Sequence, residues 1–133
     1  MRALAIFTVD SVEPDPPQRE IEGVSYGRVV IKKTFRGDVD GHGSVEMLAC
    51  RSEAGAGYVA LEHIDARVGG CRGTFGLLHL GTMANGEPSG QWPIVPGSGT
   101  GELRGIKGEG RIDIATDGTH TFTLDYELAV APA

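Results

Sequence analysis

The sequence predicts an all-β domain: eight short antiparallel strands in a meander that closes into a barrel or folds into a sandwich. Three observations carry this expectation. Apolar and polar residues alternate over short runs, and helical periodicity is scarce. Turn signals rich in glycine separate nearly all neighbouring runs. Glycine itself is abundant, at 21 of 133 residues, without the triplet period of a collagen-like chain. Closure removes exposed strand edges, and eight strands leave room for packed side chains or one small ligand.

The strands follow in order. The first spans about Arg2 to Val9, and "DSVEPDPPQREIEG" after it reads as a loop or flap, with three prolines and five acids against one arginine. The second spans about Val24 to Phe35 and ends at "RGDVDGHG", a turn by composition. The third is about Ser44 to Arg51, and "SEAGAG" turns the chain into a fourth, Tyr58 to Arg67. Gly69-Gly70 precedes the fifth, about Cys71 to Thr82, which ends in an Asn85-Gly86 turn signal. The sixth covers about Gln91 to Val95, the seventh Gly110 to Ala115 and the eighth His120 to Val130. Inward faces are clearest near the end, where Phe122, Leu124, Tyr126 and Leu128 alternate with polar residues. On the second strand Val29, Ile31 and Phe35 share a face with Lys33, whereas the third and fourth strands have apolar residues at both parities.

A chain of this length fits one domain, residues 1–133, around one core. Its net charge of −6 argues against nucleic acid as a partner, because phosphate binding needs clustered cations. The apolar start is broken by Asp10 before a signal core forms, and no apolar run reaches the ~20 residues of a membrane helix. These readings point to a cytoplasmic protein with no membrane partner. Cys50 and Cys71 form neither a C-x-x-C pair nor a zinc pattern; free thiols are the default expectation, and a disulfide between them is left open.

The stretch "VPGSGTGELRGIKGEG", residues 95–110, invites comparison with phosphate loops. It fails each of them on spacing. Lys107 lies between Ile106 and Gly108, so the P-loop order is wrong, and Gly97, Gly99 and Gly101 give G-x-G-x-G where a dinucleotide loop needs G-x-G-x-x-G. Around Ser98 the glycine positions of a nucleophile elbow hold Pro96 and Thr100. A tight corner between the sixth and seventh strands is the expected role.

"ALEHIDARVGGCRGTFGLLHLGT", W-x-x-"VPGSGTGELRGIKGEG", "FTLDYEL" and "KKTFRGDVDGHGSVEML" together resemble a bacterial domain family of unknown function. Its fold is similar to the allene oxide cyclase barrel. The resemblance spans about residues 24–128 and implies an eight-stranded antiparallel barrel, allene oxide cyclase-like or calycin-like, with a small interior cavity. It implies no settled activity.

Several residues are candidates for chemistry. Glu62 sits among apolar neighbours in "YVALEHI", and a carboxylate inside a barrel is a candidate general acid or base. His79 shares parity with Phe75 and Leu77 and is a candidate proton carrier. Glu46 is a candidate partner for Glu62 across adjacent strands, forming a carboxylate pair. Phe75, Trp92, Tyr126 and Lys33 are candidate substrate-binding residues: the aromatic ones are expected to wall a pocket, and Lys33, if it faces inward, requires a carboxylate partner. Against each stands a plain structural role: core packing, a satisfied histidine, a surface glutamate. The four histidines show no metal spacing, and no cofactor is expected. The favoured function is binding of a small apolar or amphipathic molecule; the alternative is a cofactor-independent cyclase or isomerase, and the third reading is a filled structural barrel. Apolar residues such as Val59, Leu61, Leu77 and Leu78 suggest association of copies through outer faces.

Overall fold

The computed structural model describes residues 1–129, and the end of the expected eighth strand, Val130, lies outside them. Its strands are β1 (Arg2–Ile21), β2 (Val24–Gly37), β3 (Val39–Arg51), β4 (Gly55–Val68), β5 (Cys71–Ala84), β6 (Glu87–Pro93), β7 (Lys107–Ile114) and β8 (His120–Glu127). Each pairs antiparallel with the next, and β1 pairs with β8 to close the barrel. Three hairpins turn on two residues of positive φ, Glu22-Gly23, Gly69-Gly70 and Asn85-Gly86. That conformation matches the right-handed twist of paired strands.

Two expectations need correction. The proline-rich segment is strand, not loop: β1 runs on through residue 21. Among the described residues it pairs with β8 over Arg2–Phe7 and beyond that with β2 alone, which leaves one edge from Thr8 onward without a partner strand there. Proline removes a donor, which a free edge tolerates, and Pro14 with the surrounding charges discourages further pairing there. Asp10 is the extra residue of a bulge, because Val9 pairs with Lys33 and Ser11 with Lys32. The second correction is "RGDVDGHG", where Asp38 alone separates β2 from β3. Its backbone N–H donates to the Leu4 carbonyl at 2.9 Å, and its carboxylate accepts from the Leu4 N–H at 3.0 Å.

The register fixes which residues face inward. Ala3, Ala5, Phe35, Val39, Ile64, Val68, Phe75, Leu77, Phe122 and Leu124 fill one end of the barrel. Segment 95–106 caps that end, with Leu103 and Ile106 fully buried and a short 3-10 turn at Gly101–Leu103. Ser98 Oγ accepts from the Gly76 N–H at 2.9 Å and donates to the Val95 carbonyl at 2.7 Å. The Thr100 N–H donates to the Thr74 carbonyl at 2.8 Å. The glycine-rich stretch is therefore a structural corner whose hydroxyls are committed to the backbone. On the outer face Leu48, Val59 and Leu80 form one cross-strand row, with Leu61 and Leu78 beside it, all exposed. Cys50 and Cys71 are free, and their β4 partners, Gly57 and Val68, lie eleven residues apart. No helix among the described residues is long and apolar enough to cross a membrane.

Candidate functional site

A polar cluster lies across the middle of the barrel. Lys33 on β2, Glu62 on β4 and His79 on β5 all point inward, exposed by 6%, 0% and 4% respectively. Glu62 Oε1 accepts from Lys33 Nζ at 3.2 Å and contacts His79 Nε2 at 2.7 Å. Lys33 Nζ also stands 4.5 Å from the centroid of the Phe7 ring, whose π face favours a cation. Buried charges persist when paired and hydrogen-bonded, and each member of this cluster has a partner.

Register explains how three strands converge. Lys33 lies opposite Gly43 on β3, which lies opposite Ile64; Glu62 is two residues away on the same face of β4. Lacking a side chain, Gly43 leaves space for the carboxylate, and a Cβ there would run into Glu62 Oε2 and the Phe35 ring. Gly43→Ala is accordingly expected to cost about 2 kcal/mol by overpacking. Urea unfolding measures it, and a loss below ~0.5 kcal/mol would remove Gly43 from the cluster's support. Among the described residues Glu62 Oε2 makes no hydrogen bond, and neither does the buried Trp92 Nε1.

Beside this cluster a cavity of about 1020 Å³ opens toward the other end of the barrel. Its walls come from the ends of β4 and β5 and from β6 and β7. Those last two strands pair only at Trp92↔Gly110 and Pro93↔Glu109, so they splay apart and leave the gap. Tyr58, Met83, Trp92 and Ile112 supply apolar surface. The lining does not include Lys33, Glu62 or His79. Trp92 lies next to both: the pairs Leu80↔Gln91 and Leu77↔Ile94 bracket it opposite His79, and it also lines the cavity.

The family model described as protein of unknown function (DUF3224) matches residues 3–126. The chain belongs to the DUF3224 family. The DUF3224 barrel is also similar to a crystal structure of a protein of unknown function from the same family in Shewanella oneidensis MR-1. The two share 31% identity over 98% of each chain, with a TM-score of 0.90. Comparison with curated proteins gives no match.

The sequence candidates divide under this geometry. Glu62, His79 and Lys33 come together as one cluster, and Trp92, opposite His79 in register, lines the cavity. Glu46 does not join them. Val45, not Glu46, is opposite Glu62, so Glu46 points outward, where its carboxylate meets Arg28 at 3.5 Å. The expected carboxylate pair is absent because neighbours along a strand face opposite sides. Phe75 packs in the filled end and does not wall the cavity; Tyr126 packs there too and lines a separate surface pocket with Met1, Pro93 and Lys107. Burial pushes the Tyr126 phenol up, as it does that of Tyr58. Tyr58, Met83 and Ile112 are cavity residues that sequence reasoning missed, and Tyr58 alone of them carries a hydroxyl. Its signal was parity, since residues 58, 60 and 62 share one face of β4.

Proposed function

We propose that the DUF3224 barrel binds a small apolar or amphipathic molecule in the cavity between β4, β5, β6 and β7. The supporting observation is the cavity of about 1020 Å³, where Tyr58, Met83, Trp92 and Ile112 supply apolar wall among polar side chains at the rim. A concave, mostly apolar pocket with few polar anchors is the usual form of a small-molecule site. The neutral dye N-phenyl-1-naphthylamine tests the reading. One dye per chain is expected to bind saturably, and Ala56→Trp, which fills the cavity from β4, is expected to weaken binding at least ten-fold. Non-saturable binding, or binding that survives this substitution in a folded variant, rules the site out.

One observation favours a second reading, a cofactor-independent cyclase or isomerase. Glu62 has both contacts on Oε1, leaving Oε2 free of hydrogen bonds. A carboxylate so anchored is chemically suited to take or give a proton, with His79 as its relay. A substrate would reach it past Trp92. If turnover survived both Glu62→Gln and His79→Ala, proton transfer by these residues would be excluded.

A further inference from the structure

Three features of the cavity bear on what it holds. Three of its six fixed charges are committed. Arg111 Nε pairs with Asp113 at 3.1 Å, and Asp125 is held by Arg2 at 2.8 Å, leaving Glu53 and Glu109 at the rim against Arg51. A carboxylate or phosphate ligand therefore meets a rim with a slight excess of negative charge. Deeper, Lys33 is engaged by Glu62 and by the Phe7 face, so the nearest interior cation is already used. A cationic head entering the same walls of Met83, Trp92 and Ile112 would find no free interior carboxylate lining them. Either ion would lose hydration without an interior counter-charge, which is costly.

The second feature is a free donor. Tyr58 lines the cavity half-buried, with its ring lying across Gly81, where a Cβ would collide with it. Its hydroxyl makes no hydrogen bond among the described residues. Burial pushes the phenol above its ordinary value, so it remains a neutral O–H donor across the physiological range. The third feature is apolar surface on the walls around it.

We infer that the cavity selects an uncharged, largely apolar molecule bearing an acceptor oxygen, and that Tyr58 donates the hydrogen bond that recognises that oxygen. This rests on the binding reading above. Trp92 is the chain's single tryptophan and lines the cavity, so its emission reports occupancy. Three probes of equal chain length separate the alternatives at pH 7.5: decan-2-one, decanoate and decylammonium. Decan-2-one is expected to change the emission saturably, with an affinity at least ten-fold above either ion. Tyr58→Phe, which keeps the ring, is expected to weaken the ketone about five-fold, the worth of one hydrogen bond, while leaving both ions unchanged. Equal or tighter binding of decanoate or decylammonium overturns the inference and leaves cavity binding standing. So does a Tyr58→Phe variant that binds the ketone as well as the parent. If all three probes are silent and N-phenyl-1-naphthylamine also fails to bind, the binding reading falls with it; if the dye binds while all three are silent, this inference alone falls.

Discussion

Replacing Glu62 with alanine is expected to lower the free energy of unfolding by about 4 kcal/mol, because it leaves a charge buried without its partner. Lys33 would stay inside the barrel at 6% exposure, facing the Phe7 and Phe35 rings, and His79 would lose its 2.7 Å neighbour. Glu62→Gln keeps the shape and one acceptor, so its cost should be smaller, about 2 kcal/mol. The informative comparison is the double variant Lys33→Met, Glu62→Leu. Buried ion pairs replaced together by apolar residues are often neutral or stabilising. The double variant should therefore recover most of the loss, giving a coupling energy of at least ~2 kcal/mol in the double-mutant cycle of the parent, Lys33→Met, Glu62→Leu and the double variant. Urea unfolding monitored by Trp92 emission measures all of these proteins. A cost below ~1 kcal/mol for Glu62→Ala would mean that the cluster is not the dry, paired group described above.

That cluster was half legible in the sequence. His79 was placed inward by its parity with Phe75 and Leu77, and the register confirms it. Lys33 carried a conditional requirement for a carboxylate, which Glu62 meets. Choosing between Glu46 and Glu62 needed the pairing of β3 with β4, and alternation could not supply it. Leu48, Val59, Leu61 and Leu78 sit on the outer face, so both faces of these strands are apolar and their parities look alike. The glycines misled in a different way. Gly41 and Gly43 made "RGDVDGHG" read as a turn, yet both lie within β3. Gly41 leaves room for the Asp65–Ala66 backbone, and Gly43 leaves room for the Glu62 carboxylate. Composition records that glycine is present; whether it serves a bend or a close approach is decided by the neighbouring strand. Proline misled likewise on β1, since a strand paired along one edge can hold it.

Leu103→Ala is expected to be the second large effect, destabilising by about 3 kcal/mol. Leu103 is fully buried at the capped end, with Ile106 beside it in the core. The segment that carries it is fastened to β5. Glu102 Oε1 accepts from the Arg72 N–H at 3.0 Å, and the Thr74 N–H donates to Thr100 Oγ1 at 3.2 Å. Gly73 and Gly99 let the cap approach closely, since a Cβ on either would meet backbone or side-chain atoms of the segment. The cap thus holds its shape when the leucine is truncated and cannot collapse to fill the void, so the cavity cost adds to the lost transfer energy and the loss is at least ~3 kcal/mol. In thermal unfolding this corresponds to a fall in Tm of roughly 10 °C for a domain of this size. Below the transition, N-phenyl-1-naphthylamine should bind the variant within two-fold of the parent, because none of the capping residues lines the cavity. A variant that lost dye affinity while folded would show that the two ends are coupled; one that lost less than ~1 kcal/mol would show that the core at this end does not depend on its plug.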